Sequence, residues 1–209
     1  MTQQKEALAQ ALQANRYVIS DDVQEKLLAY IDMLQRWNRV FNLTAIRNFD
    51  DIVSLHLLDS LSILPYLKGT RLLDVGTGAG FPGIPLALMC PEKQFFLLDS
   101  NNKKTRFLTQ VICDLGIKNV VVIHSRCESF HPDECFDTIM TRAFASLQQI
   151  VLSTQHLLGP EGQFLAMKGI YPKDEIKELP ASFCVLAVHE LLIQGIHAKR
   201  HLVCIGKEF

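Results

Sequence analysis

The fold is decided by the stretch Arg71-Leu72-Leu73-Asp74-Val75-Gly76-Thr77-Gly78-Ala79-Gly80-Phe81-Pro82-Gly83. A short apolar run carries an acid near its end, glycines alternate with other residues, and Pro82 suits the first turn of a helix. The pattern predicts a strand, a tight turn and a helix. Glycines allow unusual backbone dihedral angles and close approach of a ligand, and the first N–H groups of the helix are free to bind one. We therefore expect a binding loop for a small polar ligand.

Two ligand classes fit this loop. Gly78, Gly80 and Gly83 have the spacing of the dinucleotide fingerprint, which places a pyrophosphate at a helix N-terminus. Centred on Asp74-x-Gly76-x-Gly78-x-Gly80, the pattern instead resembles motif I of the S-adenosylmethionine-dependent methyltransferases. A carboxylate beside the turn suits the ammonium and sulfonium of that donor and would repel a phosphate. We favour the methyl donor and expect the acid and the glycines of that pattern to bind it.

A second buried strand pattern over residues 94–98 ends at Asp99. This carboxylate follows the glycine loop by about twenty residues, the spacing expected of a group that binds ribose hydroxyls. A helix is also expected to begin near Asn101, and aspartate is favoured at such starts. We assign Asp99 to the ribose and keep helix capping as the alternative.

The organisation of the chain of 209 residues changes near residue 65. Residues 1–65 show helical patterns, whereas strand and helix patterns alternate over residues 66–209. Alternation predicts a doubly wound, mostly parallel sheet that binds ligands beyond the carboxyl ends of its strands. The predicted strands are 72–75, 95–98, 120–123, 138–140, 164–167, 183–188 and 201–205. We expect an α/β, Rossmann-like fold with a seven-stranded sheet, divided into an N-terminal helical extension (1–65) and a donor-binding core (66–209).

The helical extension should contain two helices. The first follows Ser20, and its apolar residues recur at spacings of three and four residues from Val23 to Phe41. The second is expected from residue 50 or 51 to residue 63, because Pro65 would end it.

Composition favours an enzyme domain that is not exported. Hydrophobic residues make up 48% of the chain, which excludes disorder, and no apolar run approaches the roughly 18 residues of a membrane span. The first residues lack a signal-peptide pattern, so we expect a cytoplasmic location and no membrane partner. The 6 cysteines show no C-x-x-C pair and are expected to be reduced packing residues. We expect no bound metal.

The charge pattern limits how the protein could bind nucleic acid. The net charge of −1 argues against nonspecific coating of nucleic acid. Local groups of basic residues can still contact phosphates. The alternative interpretation of each group is ordinary solvated surface charge. These groups are Arg36/Arg39/Arg47, Lys103/Lys104/Arg106 and Lys199/Arg200.

The segment after the third predicted strand is Ser125-Arg126-Cys127-Glu128. It should lie at the ligand edge, where the corresponding loop of methyltransferases brackets the adenine. Cys127 and Glu128 are our candidates for that contact. Ser125 and Glu128 also have the spacing of a capping box, which could coexist with it.

The fourth predicted strand leads to Arg142. The chain lacks here the Asp/Asn-Pro-Pro-aromatic segment of many amino-group methyltransferases. It also lacks the Pro-Cys that covalent attack on cytosine would need. A permanent cation beside the donor pocket favours a substrate with anionic or acceptor-rich edges.

Nearly the whole chain resembles the bacterial ribosomal RNA small-subunit methyltransferase G family, also called glucose-inhibited division protein B. The matching segments are Trp37-Asn38, Asn42-Leu43-Thr44, His56 with Asp59-Ser60, Asp74 to Gly78, Gly80 to Leu86, Leu98 to Ser100, Ser125-Arg126, Arg142 to Ser146 and Lys168-Gly169. The resemblance implies methyl transfer from S-adenosylmethionine to N7 of a guanine in small-subunit ribosomal RNA. It also implies donor-binding roles for Gly76, Phe81, Cys127, Glu128 and Arg142.

The implied chemistry needs little catalytic machinery. Guanine N7 is a lone-pair acceptor without a proton, so attack on the methyl group needs no general base. Arg142 is the expected catalytic residue, orienting the guanine, a phosphate or the donor carboxylate. His56 and Asp59 share a helical face that is a candidate for substrate contact, with a polar patch packed on the sheet as the alternative. Lys168 is a candidate phosphate contact.

The expected partner is small-subunit ribosomal RNA or a ribosomal subunit, and we expect a monomer. The alternatives are a methyltransferase for another acceptor, a nicotinamide-dependent oxidoreductase and a noncatalytic nucleotide-sensing module. The chain lacks a recognisable Tyr-x-x-x-Lys of the kind that many such oxidoreductases carry.

Overall fold

One 7-stranded sheet organises the computed structural model, which describes residues 2–143 and 145–208. Its strands are β1 (Arg71–Val75), β2 (Gln94–Asp99), β3 (Val120–His124), β4 (Phe136–Arg142), β5 (Leu158–Lys168), β6 (Phe183–Glu190) and β7 (His201–Lys207). The order is β3-β2-β1-β4-β5-β7-β6, and β7 is antiparallel to both neighbours. The predicted α/β fold with a mostly parallel sheet is confirmed. Strand β5 starts earlier than predicted, because the segment 159–162 contains the glycines and proline that usually interrupt a strand.

The direction of strand addition reverses between β1 and β4, which are direct neighbours. Successive strands β1, β2 and β3 extend the sheet to one side, and β4 and β5 extend it to the other. Such a reversal opens a crevice beyond the carboxyl ends of the strands. The ends of β1, β2, β4 and β5 therefore carry Val75, Asp99, Arg142 and Lys168 to one edge.

Eight α-helical segments surround the sheet within the described residues. They are α1 (Thr2–Ala14), α2 (Asp21–Phe41), α3 (Phe49–Ile52), α4 (Asp59–Leu61), α5 (Gly83–Met89), α6 (Asn102–Leu115), α7 (Leu147–Thr154) and α8 (Lys173–Lys177). A π-helical segment, Val53–Leu58, joins α3 to α4 and completes the predicted second helix of the extension. None of the helices in the described part of the chain is both long and apolar enough to cross a membrane.

Helix α2 is the long helix of the N-terminal region. Ser20 caps it by accepting a hydrogen bond from the N–H of Val23 at 3.3 Å. Tyr30 and its apolar neighbours pack in the same core cluster as α1 and one face of the sheet. The end of the predicted apolar stripe differs, because Phe41 is 39% exposed. Its helix ends there, and the ring lies at the edge of the packed region.

Candidate active site

Two cavities open at the carboxyl edge of the sheet. The large cavity, about 540 Å³, is lined by His56, Phe81, Arg142 and their neighbours. The small cavity, about 340 Å³, is lined by Asp99 and the segment 125–128. Gly76, Lys104 and Ala143 line both. The two cavities therefore meet at the end of β1, where the glycine loop begins.

The first half of the glycine loop faces the cavities. Gly76 and Gly78 adopt φ angles of +66° and +63°, in the left-handed region that favours glycine. The N–H groups of Gly76 and Thr77 donate to the carbonyl of Leu98 at 2.9 and 3.1 Å, which anchors the loop on β2. The predicted strand, turn and helix are present. Gly76 lines both cavities, and Gly78 lines the large one.

The second half of the loop is packed against helices. Gly80 has a φ angle of +100°, and a Cβ atom there would lie 2.7 Å from Leu108 and 2.9 Å from the hydroxyl of Tyr30. That hydroxyl donates to the carbonyl of Ala79 at 2.5 Å, so α2 holds the middle of the loop. Gly80 is not among the residues that line the large or small cavity.

Asp74 lies beneath the loop and is fully buried. Its Oδ2 atom accepts hydrogen bonds from the hydroxyl of Thr77 at 2.7 Å and from the N–H of Gly83 at 2.9 Å. Its Oδ1 atom is buried without a hydrogen-bond partner. Burial raises the pKa of this carboxyl to about 6, against the opposing effect of both hydrogen bonds. The structure places Asp74 as the support of the loop, outside the lining of both cavities.

Asp99 ends β2 and lines the small cavity. Its Oδ2 accepts from the N–H of Gly78 at 2.9 Å, and its Oδ1 accepts from the N–H of Asn101 at 2.8 Å. Lys104 lies 3.7 Å from Oδ2. Asn101 caps α6 by accepting from the N–H of Lys103, so Asp99 is not the cap. Each carboxylate oxygen has a second lone pair that a ligand can use.

Cys127 and Glu128 also line the small cavity. They belong to a single 3-10 turn, Cys127–Ser129. Burial raises the pKa of the Cys127 thiol, which stays protonated at neutral pH. The predicted capping box is wrong, because the hydroxyl of Ser125 donates to the carbonyl of Arg126 at 3.0 Å and Arg126 occupies the cap position without a side-chain bond.

Arg142 forms hydrogen bonds with residues from a distant part of the sequence. Its guanidinium donates to the carbonyl of Leu55 at 3.1 Å, to Oδ2 of Asp59 at 3.2 Å and to Nδ1 of His56 at 3.0 Å. The same group lies 5.4 Å from the ring centroid of Phe81. Asp59 is 3% exposed, so this ion pair lies in a largely desolvated region. The orientation of the guanidinium is therefore fixed before any ligand binds.

His56 belongs to the π-helical segment and lines the large cavity. Arginine can only donate, so Nδ1 of His56 accepts from Arg142, and Nε2 carries the proton. Nε2 lies 2.8 Å from the hydroxyl oxygen of Thr44, to which it donates. Burial and the charge of Arg142 lower the pKa of His56 to about 4, so the ring is neutral at pH 7. The ring stacks on Phe81 with centroids 4.7 Å apart.

Lys168 lines the large cavity at the end of β5. Its ammonium donates to Oε2 of Glu175 and to the carbonyl of Ala145, both at 2.8 Å. Glu175 also accepts from the N–H of Leu147 at 2.7 Å. In the structure Lys168 therefore ties the segment after β4 to α8.

Arg200, Lys104 and Thr44 are lining residues that we did not assign from sequence. Arg200 donates from Nε to Oδ1 of Asp59 at 3.1 Å, so two arginines share one buried carboxylate. It directly precedes β7, and the start of an antiparallel strand lies at the carboxyl edge of its parallel neighbours. That topology could have identified Arg200. Lys104 lies in the first turn of α6, the turn after the predicted ribose residue.

Among the described residues of the large cavity, two side chains that could accept a proton, His56 and Asp59, are already engaged. His56 is neutral and already bonded through both ring nitrogens, and Asp59 is held between two arginines. Within the part of the chain that the structure describes, no group of three or more His, Cys, Asp or Glu side chains is arranged to hold a metal ion. Such a site suits a ligand rich in hydrogen-bond acceptors or negative charge.

Comparison with solved structures places the fold among methyltransferases. A SAM-dependent methyltransferase from Aquifex aeolicus aligns with a TM-score of 0.56 and 20% identity, covering 72% of this chain and 91% of that one. A SAM-dependent methyltransferase from Thiobacillus denitrificans, in complex with S-adenosyl-L-homocysteine, aligns with a TM-score of 0.52 and 13% identity, covering 72% and 90%. At these identities the likeness shows the fold alone.

Sequence comparisons are more specific. The model of the family described as rRNA small subunit methyltransferase G matches residues 23–203. Proteins named ribosomal RNA small subunit methyltransferase G are 51% identical in Pseudomonas aeruginosa, over 89% of this chain and 87% of that protein, and 49% identical in Marinobacter nauticus, over 96% and 94%. The chain therefore belongs to the rRNA small subunit methyltransferase G family.

Proposed function

We propose that this protein transfers the methyl group of S-adenosylmethionine to N7 of a guanine in small-subunit ribosomal RNA. The observation that carries the proposal is the junction of the two cavities at Gly76. In the small cavity Asp99 is available to bind a ribose, and in the large cavity Arg142 is available to bind the methyl acceptor. The names of the relatives support ribosomal RNA of the small subunit as the substrate class.

The residues of the small cavity fit the donor. Asp99 would accept hydrogen bonds from the ribose hydroxyls, and Cys127 with Glu128 would contact the adenine edge. The backbone of Gly76 and Gly78 leaves room for the methionine part beside Lys104. Asp74 and Gly80 contribute to donor binding by fixing the loop from below, through the hydrogen bonds and close packing described above. Bound S-adenosylmethionine supplies an electrophilic methyl group on its sulfonium.

The residues of the large cavity fit an acceptor that carries no proton. Guanine presents N7 and O6 as neighbouring acceptors, and an arginine can bind such an edge. Arg142 would bind the guanine base or a phosphate so that N7 lies in line with the methyl group, or it would orient the donor by binding its carboxylate. Holding both reactants at near-attack distance can contribute about 7–11 kcal/mol to the barrier reduction. Positioning therefore supplies most of the catalysis, and Phe81 with His56 forms the wall against which the base would lie.

The Asp99→Ala variant should bind S-adenosylmethionine more weakly by roughly 1–3 kcal/mol, because the ribose loses a hydrogen-bonding partner in a partly desolvated cavity. Calorimetric titration of the donor measures this change. Asp114→Ala, at an exposed position near the end of α6, is the matched control and should bind as the wild type does. Wild-type affinity in a folded Asp99→Ala protein would remove Asp99 from the donor site.

The single-turnover rate of methyl transfer should stay nearly constant between about pH 7 and pH 9, because N7 has no proton to lose. His56, with a pKa of about 4, stays neutral over this range, and Asp74, with a pKa of about 6, stays mostly ionised. Rapid-quench measurements at saturating donor test the prediction. A tenfold rise in rate per pH unit within the range would reveal a catalytic base and contradict it.

The low net charge of the protein bears on which form of the RNA it recognises. With a net charge of −1, bulk electrostatic attraction to RNA is small, so shape must contribute to recognition. We propose a folded subunit containing ribosomal proteins as the preferred substrate. We also propose that the enzyme acts in the cytoplasm and as a monomer.

The proposed function is tested by incubating the protein with donor labelled in its methyl group and small ribosomal subunits from cells that lack the enzyme. We expect label in the ribosomal RNA, at a higher rate with subunits than with protein-free RNA. Label in a ribosomal protein, or in neither component, would contradict the function. Equal rates with both substrates would contradict only the preference for the subunit.

A further inference from the structure

Helices α2 and α6, which both carry basic residues, pack against each other through aromatic side chains. Trp37 of α2 packs on Phe107 of α6 with ring centroids 5.5 Å apart, and on Phe41 at 5.2 Å. Residues three and four apart share a helix face, so Lys103 and Lys104 lie one turn before Phe107 on the same side. Phe107 is buried, and through its contact with Trp37 it connects the lysines at the start of α6 to the exposed end of α2. We describe these side chains as a row.

The row continues into the loop that follows α2. Arg47 donates from Nη2 to Oδ1 of Asn42 at 3.2 Å, and Asn42 directly follows Phe41. The loop 43–46 between them contributes lining residues to the large cavity. Both ends of the row thus border the proposed acceptor site, at Lys104 and at this loop. We call the set Lys103, Lys104, Phe107, Trp37, Phe41, Asn42 and Arg47 the basic-aromatic row.

The row combines positive charge with an accessible aromatic ring. Lys103 and Arg47 are exposed, and neither forms an ion pair within residues 2–143 and 145–208. Phe41 is 39% exposed although it ends an otherwise buried stripe. Its backing by Trp37 holds the ring on the surface. No member of the row is acidic, so the row adds positive potential to a nearly neutral protein.

We propose that the basic-aromatic row binds an unpaired RNA segment that flanks the target guanine, with phosphates at Lys103 and Arg47 and a base stacked on Phe41. This inference rests on the proposed function, which makes RNA the acceptor. In A-form RNA the major groove, where N7 lies, is too deep and narrow for side chains to read. The target must therefore reach the large cavity from a loop or another unpaired region. A basic groove with an aromatic platform is the usual way to bind such a strand.

The test compares three variants in three assays: RNA binding, subunit methylation and donor binding. Phe41→Ala should weaken binding of a fluorescent single-stranded oligoribonucleotide about tenfold, the scale of one lost base stack. Lys103→Gln and Arg47→Gln should each reduce the slope of log affinity against log salt concentration by about 1, as expected for one lost phosphate contact. In single-turnover methylation of small subunits, the subunit concentration giving half-maximal rate should rise for each variant. Donor affinity should stay unchanged.

Two matched controls separate a local role from general surface effects. Leu152→Ala removes an apolar side chain of α7 that is 53% exposed. Lys118→Gln removes a lysine before β3, at the edge of the sheet opposite the cavities. Both controls should retain wild-type RNA binding and subunit methylation.

The outcomes separate this inference from the proposed function. Suppose that the wild type methylates subunits and that the three variants match it in RNA binding and in methylation. The RNA-binding role of the row is then disproved, and the proposed function stands. If the wild type transfers no methyl group to subunits although the variants lose RNA binding, the function fails and the row stands as an RNA surface. Equal loss in the control variants, or tighter binding to a duplex of the same sequence, would also overturn the row.

Discussion

Replacing Arg142 with alanine is expected to lower the single-turnover rate of methyl transfer to small subunits about 100-fold, equivalent to about 2.7 kcal/mol of activation free energy. The guanidinium is held by Leu55, His56 and Asp59, so its position is set before binding. Its loss removes both the fixed cation and the orientation that it imposes on a ligand. Rapid-quench kinetics at saturating donor and subunit measure the effect.

The matched control is Arg71→Ala. Arg71 is also a partly buried arginine, stacked over Phe96 at 4.4 Å from the ring centroid, but it begins β1 at the opposite edge of the sheet. This control should lose stability and keep its methylation rate per folded molecule. Asp59 keeps Arg200 as a partner in Arg142→Ala, so that variant should remain folded. A wild-type rate in folded Arg142→Ala would remove this residue from the catalytic mechanism.

The second large effect is expected for Gly80→Ala, which should lower the free energy of unfolding by about 3 kcal/mol. A left-handed conformation at a residue other than glycine costs about 1–3 kcal/mol, and overpacking costs a similar amount. The new Cβ would lie 2.7 Å from Leu108 and 2.8 Å from Ile84. Chemical denaturation measures the loss. Donor affinity should fall as well, since the displaced loop carries Gly76 and Gly78.

Gly116→Ala separates backbone strain from overpacking. Gly116 has a φ angle of +61°, and nothing lies within 4 Å of a Cβ atom placed there. It should lose only about 1 kcal/mol of stability, the cost of the left-handed conformation, and keep donor affinity. Similar losses of stability in Gly80→Ala and Gly116→Ala would show that overpacking beneath the loop contributes little to the cost at Gly80.

Local signals explain why the fold could be predicted. The strand, turn and helix around Gly76 depend on residues adjacent in sequence, and the alternation of later elements predicts a parallel sheet. The same signals do not distinguish a glycine that faces a ligand from one that admits a neighbouring helix. Both require the same backbone freedom, so Gly78 and Gly80 look alike in sequence although only Gly78 lines a cavity.

The connections within the site depend on contacts between distant segments. Nothing in the sequence near Arg142 indicates that it bonds His56 and Asp59, which lie on a π-helical segment and the short helix after it. Arg200 was noticed only as part of a basic group, because its contact with Asp59 follows from the antiparallel pairing of β7. The exposure of Phe41 likewise depends on where α2 ends against α6.

The central claim is methyl transfer to N7 of guanine, and the most direct measurement maps the methyl group itself. Small subunits from cells lacking the enzyme are incubated with the protein and donor, and the ribosomal RNA is then cleaved chemically at N7-methylguanine and read by primer extension. The account predicts cleavage at one guanine, present with the wild type and strongly reduced with Arg142→Ala. Methylation of an exocyclic amine, a ribose hydroxyl or a protein side chain, with no cleavage at guanine, would contradict it.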